Sequence, residues 1–257
     1  MRAQALNDST PKKNTDALPS KCTPEPEKIG IIGAMDVEVD FLKQEARIRK
    51  TTTIAAMEYC EGTLGEKNVV IVKCGMGKVN AGMCASTLIN LFHCKKIINI
   101  GVAGSLDNEL DIGDIVVSVD AVQHDFDVEV IGFAKGEIPY TGLYAFPADE
   151  ALRAEAIEAV RKSAPEIRVY EGRVNSGDQF IHTKAQKDRI RADFGGMCCE
   201  MEGAAVAQAC WLNNTPFVIL RAISDKLDGS MAVEFQTFAE EAAHRCAKSV
   251  RYMVERL

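Results

Sequence analysis

The stretch KIGIIGAMDVEVDFLKQEA, residues 28–46, decides the architecture. Its first half is a short apolar run broken by glycine, the pattern of a buried strand. From Asp36 onward the spacing turns helical. The same handover recurs along the chain. NVVIVKCGMG (68–77) precedes the small-residue helix VNAGMCASTLINLF (79–92), and KKIINIGVAGS (95–105) and GDIVVSVDAV (113–122) supply two more strands. DEALRAEAIEAVRKSA (149–164) is amphipathic, with Leu152, Ile157 and Val160 on one side. RVYEGRVNSGD (168–178) reads as a strand, CCEMEGAAVAQACWLNN (198–214) as a strand end entering a helix, and PFVILRAIS (216–224) as the last central strand. A long helix, residues 235–257, closes the chain. Alternation of this kind predicts an α/β fold: one three-layer αβα domain over residues 28–257, with a central mixed, largely parallel twisted sheet.

Residues 1–27 are different in kind. They are polar, carry Pro11, Pro19, Pro24 and Pro26, and show no apolar period. They read as a disordered extension. Asp8, Asp16 and Glu25 argue against a mitochondrial presequence, and no secretory apolar core is present.

The formal net charge of -7 over 257 residues speaks against a sequence-independent grip on nucleic acid or anionic membrane. No apolar run reaches the length of a membrane span. Nine cysteines without a C-x-x-C pair, and only four histidines, give no metal site and point to reduced, buried thiols in the cytoplasm. CGMGKVNAG (74–82) is neither a dinucleotide fingerprint nor a Walker motif, so no cofactor is expected.

In parallel sheets ligands bind beyond the carboxyl ends of the strands. Four such ends carry polar groups here: Glu38 at the opening of a helix, the glycine-rich INIGVAG (98–104), Glu200 and Glu202 in CEMEG, and Arg221 with Asp225 in RAISD. Each has a bland explanation alone. Glu38 would suit a helix dipole, Glu200 and Glu202 a solvated turn, Asp225 a cap, and Arg221 an ion pair with one of the acids. These carboxylates and an arginine at one sheet edge are costly together unless something uses them.

IGIIGAMDVEV, GMGKVNAG, INIGVAGS, GDIVVS, HDFDV, SGDQFI, EMEGAAVAQ and RAISD occur in this order. Together they resemble the nucleoside phosphorylase superfamily, most closely its 5'-methylthioadenosine/S-adenosylhomocysteine nucleosidases, across essentially residues 28–257. The resemblance implies a nucleoside phosphorylase-like fold and hydrolysis of an N-glycosidic bond to release adenine. It implies that Asp225 protonates adenine N7 and that Glu38, helped by Arg221, holds and activates the attacking water. Glu202 would bind the ribose hydroxyls, with Met201 beneath the sugar and Val102 and Gly104 beside it. Phe180 and the backbone of Ile181 would hold adenine, Ser224 would position the acid, and Met76 and Phe235 would line the 5'-alkylthio pocket. Val128, Ile131, Phe133 and Pro139 would enter that pocket from a second subunit, so a homodimer is implied. Asp225 would have to keep its proton near neutral pH, through burial and neighbouring anions.

The rival chemistry uses phosphate. Asn99 stands where bacterial-type purine phosphorylases resemble one another in carrying an arginine, Val102 stands at their serine, and the charge of Glu38 would repel phosphate. Hydrolysis is the expectation. Val102 also departs from many nucleosidases, which place a hydroxyl residue there. Non-catalytic nucleoside-binding proteins on the same scaffold are the third alternative, and they would be expected to lose the acid or the water-holding glutamate.

Overall fold

A computed structural model describes residues 27–228 and 235–257, with side chains in the last helix from Glu240 onward. The extension read over residues 1–27 therefore lies, Glu27 apart, outside the described residues. So does the side chain of Phe235.

The opening stretch folds as read. Lys28–Gly33 forms strand β1 and Asp36–Glu45 helix α1. Successive residues of β1 face opposite sides of the sheet, and both sides are apolar. Ile29 and Ile31 join a core with Val39 and Leu42 of α1, whereas Ile32 joins a second core on the other face. Burial on both faces is why the strand is continuous in apolar residues and not alternating.

Strands β4 (Lys67–Lys73) and β5 (Cys94–Ser105) flank β1 in parallel register. On the far side of β5 lies β10 (Phe217–Asp225), also parallel. Their carboxyl ends thus lie together at one edge. Strand β10 then pairs antiparallel with β6 (Ile115–Gln123), which pairs with β8 (Val169–Ser176), then β9 (Cys198–Glu200), and so back to β5. The sheet is mixed, and its β5–β10 half closes on itself. Strand β7 (Phe146–Pro147) adds to β6. Helices α2 (Lys78–Asn90) and α5 (Gly203–Leu212) supply the core on one face; α1, α3 (Glu150–Ser163) and α6 (Phe235–Arg256) supply the other.

Two features went unassigned in the sequence. Arg47–Ile54 and Met57–Leu64 form an antiparallel hairpin, β2–β3, at the sheet's outer edge. Lys184–Phe194 forms helix α4, capped by Thr183, which covers a small third core through Ile190 and Phe194.

Leu42 is fully buried where α1 meets the sheet. Leu42→Ala is expected to lower unfolding free energy by roughly 2–5 kcal/mol in denaturant titration. A change below about 1 kcal/mol would show that this face of α1 is not packed.

Candidate active site

A cavity of about 330 Å³ opens at the edge where β1, β5 and β10 end. It is lined by Glu38, Met76, Val102, Gly104, Phe180, Ile181, Met201, Glu202, Ser224 and Asp225, together with Cys199, Glu200 and Glu240 among others. Most residues singled out in the sequence are therefore brought together in one place.

Glu38 occupies the third position of α1, and the helix-start explanation for it holds in part. Its Oε2 accepts from the N–H groups of Ala34 (2.6 Å) and Met35 (2.9 Å). Its Oε1 reaches across to β5 and accepts from Val102 N–H at 3.1 Å. The carboxylate is thus fixed between two strand ends, and position 102 contributes its backbone. Burial raises the pKa of Glu38 above the usual carboxylate range, with Arg221 and these N–H groups opposing.

Arg221 does not line the cavity. It is 1% exposed, donates through Nε and Nη2 to Glu200 Oε2, and donates through Nη2 to Asn99 Oδ1 at 2.6 Å. Its third nitrogen, Nη1, has no hydrogen-bond partner among the described residues. That atom and Glu38 Oε1 converge over Gly101, where a Cβ would come within 2.8 Å of the first and 2.5 Å of the second. Glycine keeps this space open. The direct partner of Arg221 is accordingly Glu200, with Glu38 held in its field.

Glu200 and Glu202 are not a solvated turn; they are 8% and 7% exposed. They also divide their tasks. Glu200 accepts from the N–H groups of Glu202 (3.0 Å) and Gly203 (2.9 Å), so it starts α5 as well as pairing with Arg221 and Ser176. Burial works against its charge, but Arg221, Ser176 and Gly203 hold its pKa below the usual value. Glu202 accepts from Gly77 N–H at 2.8 Å and otherwise faces the cavity. Burial, with the nearby charge of Glu200, pushes its pKa up to about 7.

Asp225 ends β10 beside a local irregularity. Ile223 pairs with Ala103 and Asp225 with Gly104, so Ser224 is the extra residue of a bulge. The bulge turns the Asp225 carboxyl onto Gly104, where a Cβ would lie 2.9 Å from Oδ2. Ser224 Oγ donates to Asp225 Oδ1 at 3.0 Å. The charge environment differs from the one expected from sequence. In place of a ring of anions, the ammonium of Lys187 donates to Asp225 Oδ2, and both groups are buried.

Lys187, the buried partner of Asp225, went unread in the sequence. A signal existed: Lys187, Ile190 and Phe194 recur at helical spacing and are the buried residues of α4.

Phe180 is 57% exposed at the rim, as is Met76 at 64%. Val128, Ile131, Phe133 and Pro139 lie on the β6–β7 connection and do not line the cavity of their own chain. The phosphate-binding alternative meets an acidic wall. Five carboxylates line the cavity, and no lysine, arginine or histidine does so among the described residues. Those residues also hold no cluster of three metal-ligating side chains, and no helix among them is long and apolar enough to cross a membrane.

The fold and this acidic, nucleoside-sized cavity define a class. Residues 28–255 match the phosphorylase superfamily, and the chain belongs to it. Within that superfamily the similarity is to nucleosidases. The 5'-methylthioadenosine/S-adenosylhomocysteine nucleosidase of Anoxybacillus flavithermus is 40% identical over 233 residues, covering 89% of this chain and 98% of that protein. The crystal structure of the Neisseria meningitidis enzyme of the same name, in complex with methylthio-immucillin-A, superposes with a TM-score of 0.85 at 35% identity, covering 90% of this chain and 100% of that one. Futalosine hydrolase of Helicobacter pylori superposes with a TM-score of 0.84 at 32% identity, covering 90% and 98%.

The state of Glu202 makes a thermodynamic prediction. Folded, it keeps its proton up to about pH 7, against an ordinary value of 4.5. The native state therefore holds the extra proton in that window, and stability falls as pH rises through it. Glu202→Gln keeps an acceptor for Gly77 and removes the titration. The stability of the variant relative to wild type should rise by roughly 2 kcal/mol between about pH 5.5 and about pH 8.5 in chemical denaturation. A constant difference across that range would place the ionisation of Glu202 elsewhere.

Proposed function

We propose that the protein hydrolyses the N-glycosidic bond of 5'-methylthioadenosine and S-adenosylhomocysteine, releasing adenine and the thioribose product. The observation that carries this reading is the acidic cavity itself. Glu38, in the first turn of the helix that follows β1, and Asp225, at the end of β10, meet at one cleft whose described lining holds five carboxylates and no cationic side chain. Such a wall repels phosphate and accepts water. It also suits a sugar that gains positive charge as its bond to the base breaks.

Asp225 is the acid that donates to adenine N7, with Ser224 and the bulge fixing its direction. Proton donation by a placed carboxyl contributes about 10²–10⁴ in rate. Glu38 and Arg221 Nη1 converge over Gly101, so a water there donates to the carboxylate and accepts from the guanidinium while facing the sugar. The raised pKa of Glu38 suits it to accept a proton from that water. Glu202 takes the ribose hydroxyls, Met201 packs beneath the sugar, and Val102 and Gly104 form the wall beside it. Phe180 and the Ile181 backbone hold adenine; Met76 borders the 5' substituent.

The pocket is completed by a second copy of the chain. Val130 and Ile131 are 95% and 65% exposed, and Met76, Val79 and Met83 present further apolar surface. A homodimer covers these groups and brings Val128, Ile131, Phe133 and Pro139 of the partner subunit to the 5' end of the substrate.

Incubation with 5'-methylthioadenosine is expected to release adenine without phosphate, at a rate that added phosphate leaves unchanged. A strict phosphate requirement would make the protein a phosphorylase, and binding without adenine release would make it a carrier. Asp225→Asn should lower kcat by at least about 10²-fold while substrate still binds. Glu38→Gln should lower kcat through loss of water activation. Wild-type turnover in either variant removes that residue from the chemistry. Light scattering should give twice the mass of one chain.

A further inference from the structure

An ammonium sealed behind a general acid needs an explanation. Lys187 is 0% exposed, and its Nζ donates to Asp225 Oδ2 and, at 2.5 Å, to the carbonyl of Lys226. It also occupies the first turn of α4, which opens at Lys184. A helix start is the positive end of the backbone dipole and the wrong end for a cation. A buried site at that helix end is a costly place for a cation. Local rules broken together in this way mark functional positions.

We infer that Lys187 is a positioning residue for Asp225 that also stores the proton Asp225 delivers, so that the two side chains share a single transferable proton. This rests on the nucleosidase reading. In the empty site the proton rests on Nζ, and the carboxylate is held by Lys187 and Ser224. When nucleoside fills the cavity, an Nζ–H bond breaks and an Oδ2–H bond forms, leaving a neutral pair. That O–H bond then breaks as N7–H forms, and the C1'–N9 electron pair goes to adenine. Water bonds to C1' and gives its proton to Glu38. Solvent removes that proton and restores one to Lys187, which balances the cycle.

Among the described residues, the side chains around the pair offer it no other proton source. From β9, Cys199 is held neutral by burial, its pKa pushed up to about 12, and Glu200 is engaged by Arg221. From β10, the Lys226 ammonium is turned away to Asp111. On α4, Lys184 pairs with Asp188 and Arg191 with Asp107. Glu38, Glu202 and Glu240 face the cavity from the other side.

The test is the ratio of kcat/KM for Lys187→Met to that for wild type, followed from about pH 5 to about pH 9. With its partner gone, Asp225 must take its proton from solvent. The ratio should be within a few-fold of one at the acid end, then fall about tenfold per pH unit above the ionisation of the lone carboxyl. Titration of Glu38 and Glu202 occurs in both proteins and cancels. Thermal unfolding at each pH checks that the variant is folded, and Lys187→Gln takes its place if it is not. A ratio independent of pH, at any level, or one that falls toward acid, overturns the shared proton. Wild-type protein that releases no adenine at any pH sinks the nucleosidase reading first and this inference with it. Wild-type turnover with a flat ratio sinks only the inference.

Discussion

A single guanidinium sealed in the interior holds the cavity floor together. Arg221 lies on a strand buried on both faces, and it is too costly to leave uncompensated there. Glu200 neutralises it from β9, and Asn99 takes a second bond from β5 while donating to Ile32 of β1. Arg221, directly and through Asn99, thus ties four strands into a fixed frame. Burial alone would pull its proton away, but Glu200, Glu202 and Glu38 hold its pKa above the ordinary value, so the cation is permanent. Removing either member of such a pair typically costs about 3–5 kcal/mol, because the other is left charged and dry. That cost keeps Glu38 and Glu202 at fixed distances from a positive centre.

The legibility of this arrangement follows from how each element is buried. β1, β4, β5 and β10 have both faces covered, so they appear in the sequence as unbroken apolar runs, and the polar groups at their ends stand out against them. The hairpin β2–β3 is different. RIRKTTTI is largely exposed, MEYCEGTL mixes buried apolar with polar residues, and neither carries an apolar block. Helix α4 is mostly charged, and its buried stripe consists of Ile190 and Phe194 plus a lysine. A polarity pattern counts that lysine as surface. The strand ends were therefore readable in Glu38, Glu202, Arg221 and Asp225, whereas the partner that sets the charge beside Asp225 was not. What Arg221 touches was also hidden, because pairing with Glu200 or with Glu38 depends on which carboxylate the closed half of the sheet turns inward.

The same geometry explains why position 102 tolerates a valine. The contact that matters there is the backbone N–H donated to Glu38, which any residue but proline supplies. The missing hydroxyl takes nothing from the anchoring of the carboxylate. Gly101 and Gly104 are the constrained positions on that strand, since a methyl group at either would enter the space of Glu38 or Asp225.

Carboxylates of one chemical kind end in different electrostatic settings inside one cavity, the separation that the proposed acid and base steps would need of a single cleft. Glu200 receives a full countercharge and is committed to structure. Glu38 receives three N–H dipoles and a share of the field from Arg221, which orient it without neutralising it. Glu202 receives one N–H dipole, and burial holds its proton to about pH 7. Asp225 receives a lysine from the one helix whose start has a cation in its buried stripe. A phosphate would have to enter against all of these groups, with no cation in the described lining to meet it. A neutral water, and a sugar becoming positive, meet no such barrier, so the wall that excludes one nucleophile is the wall that favours the transition state of the other.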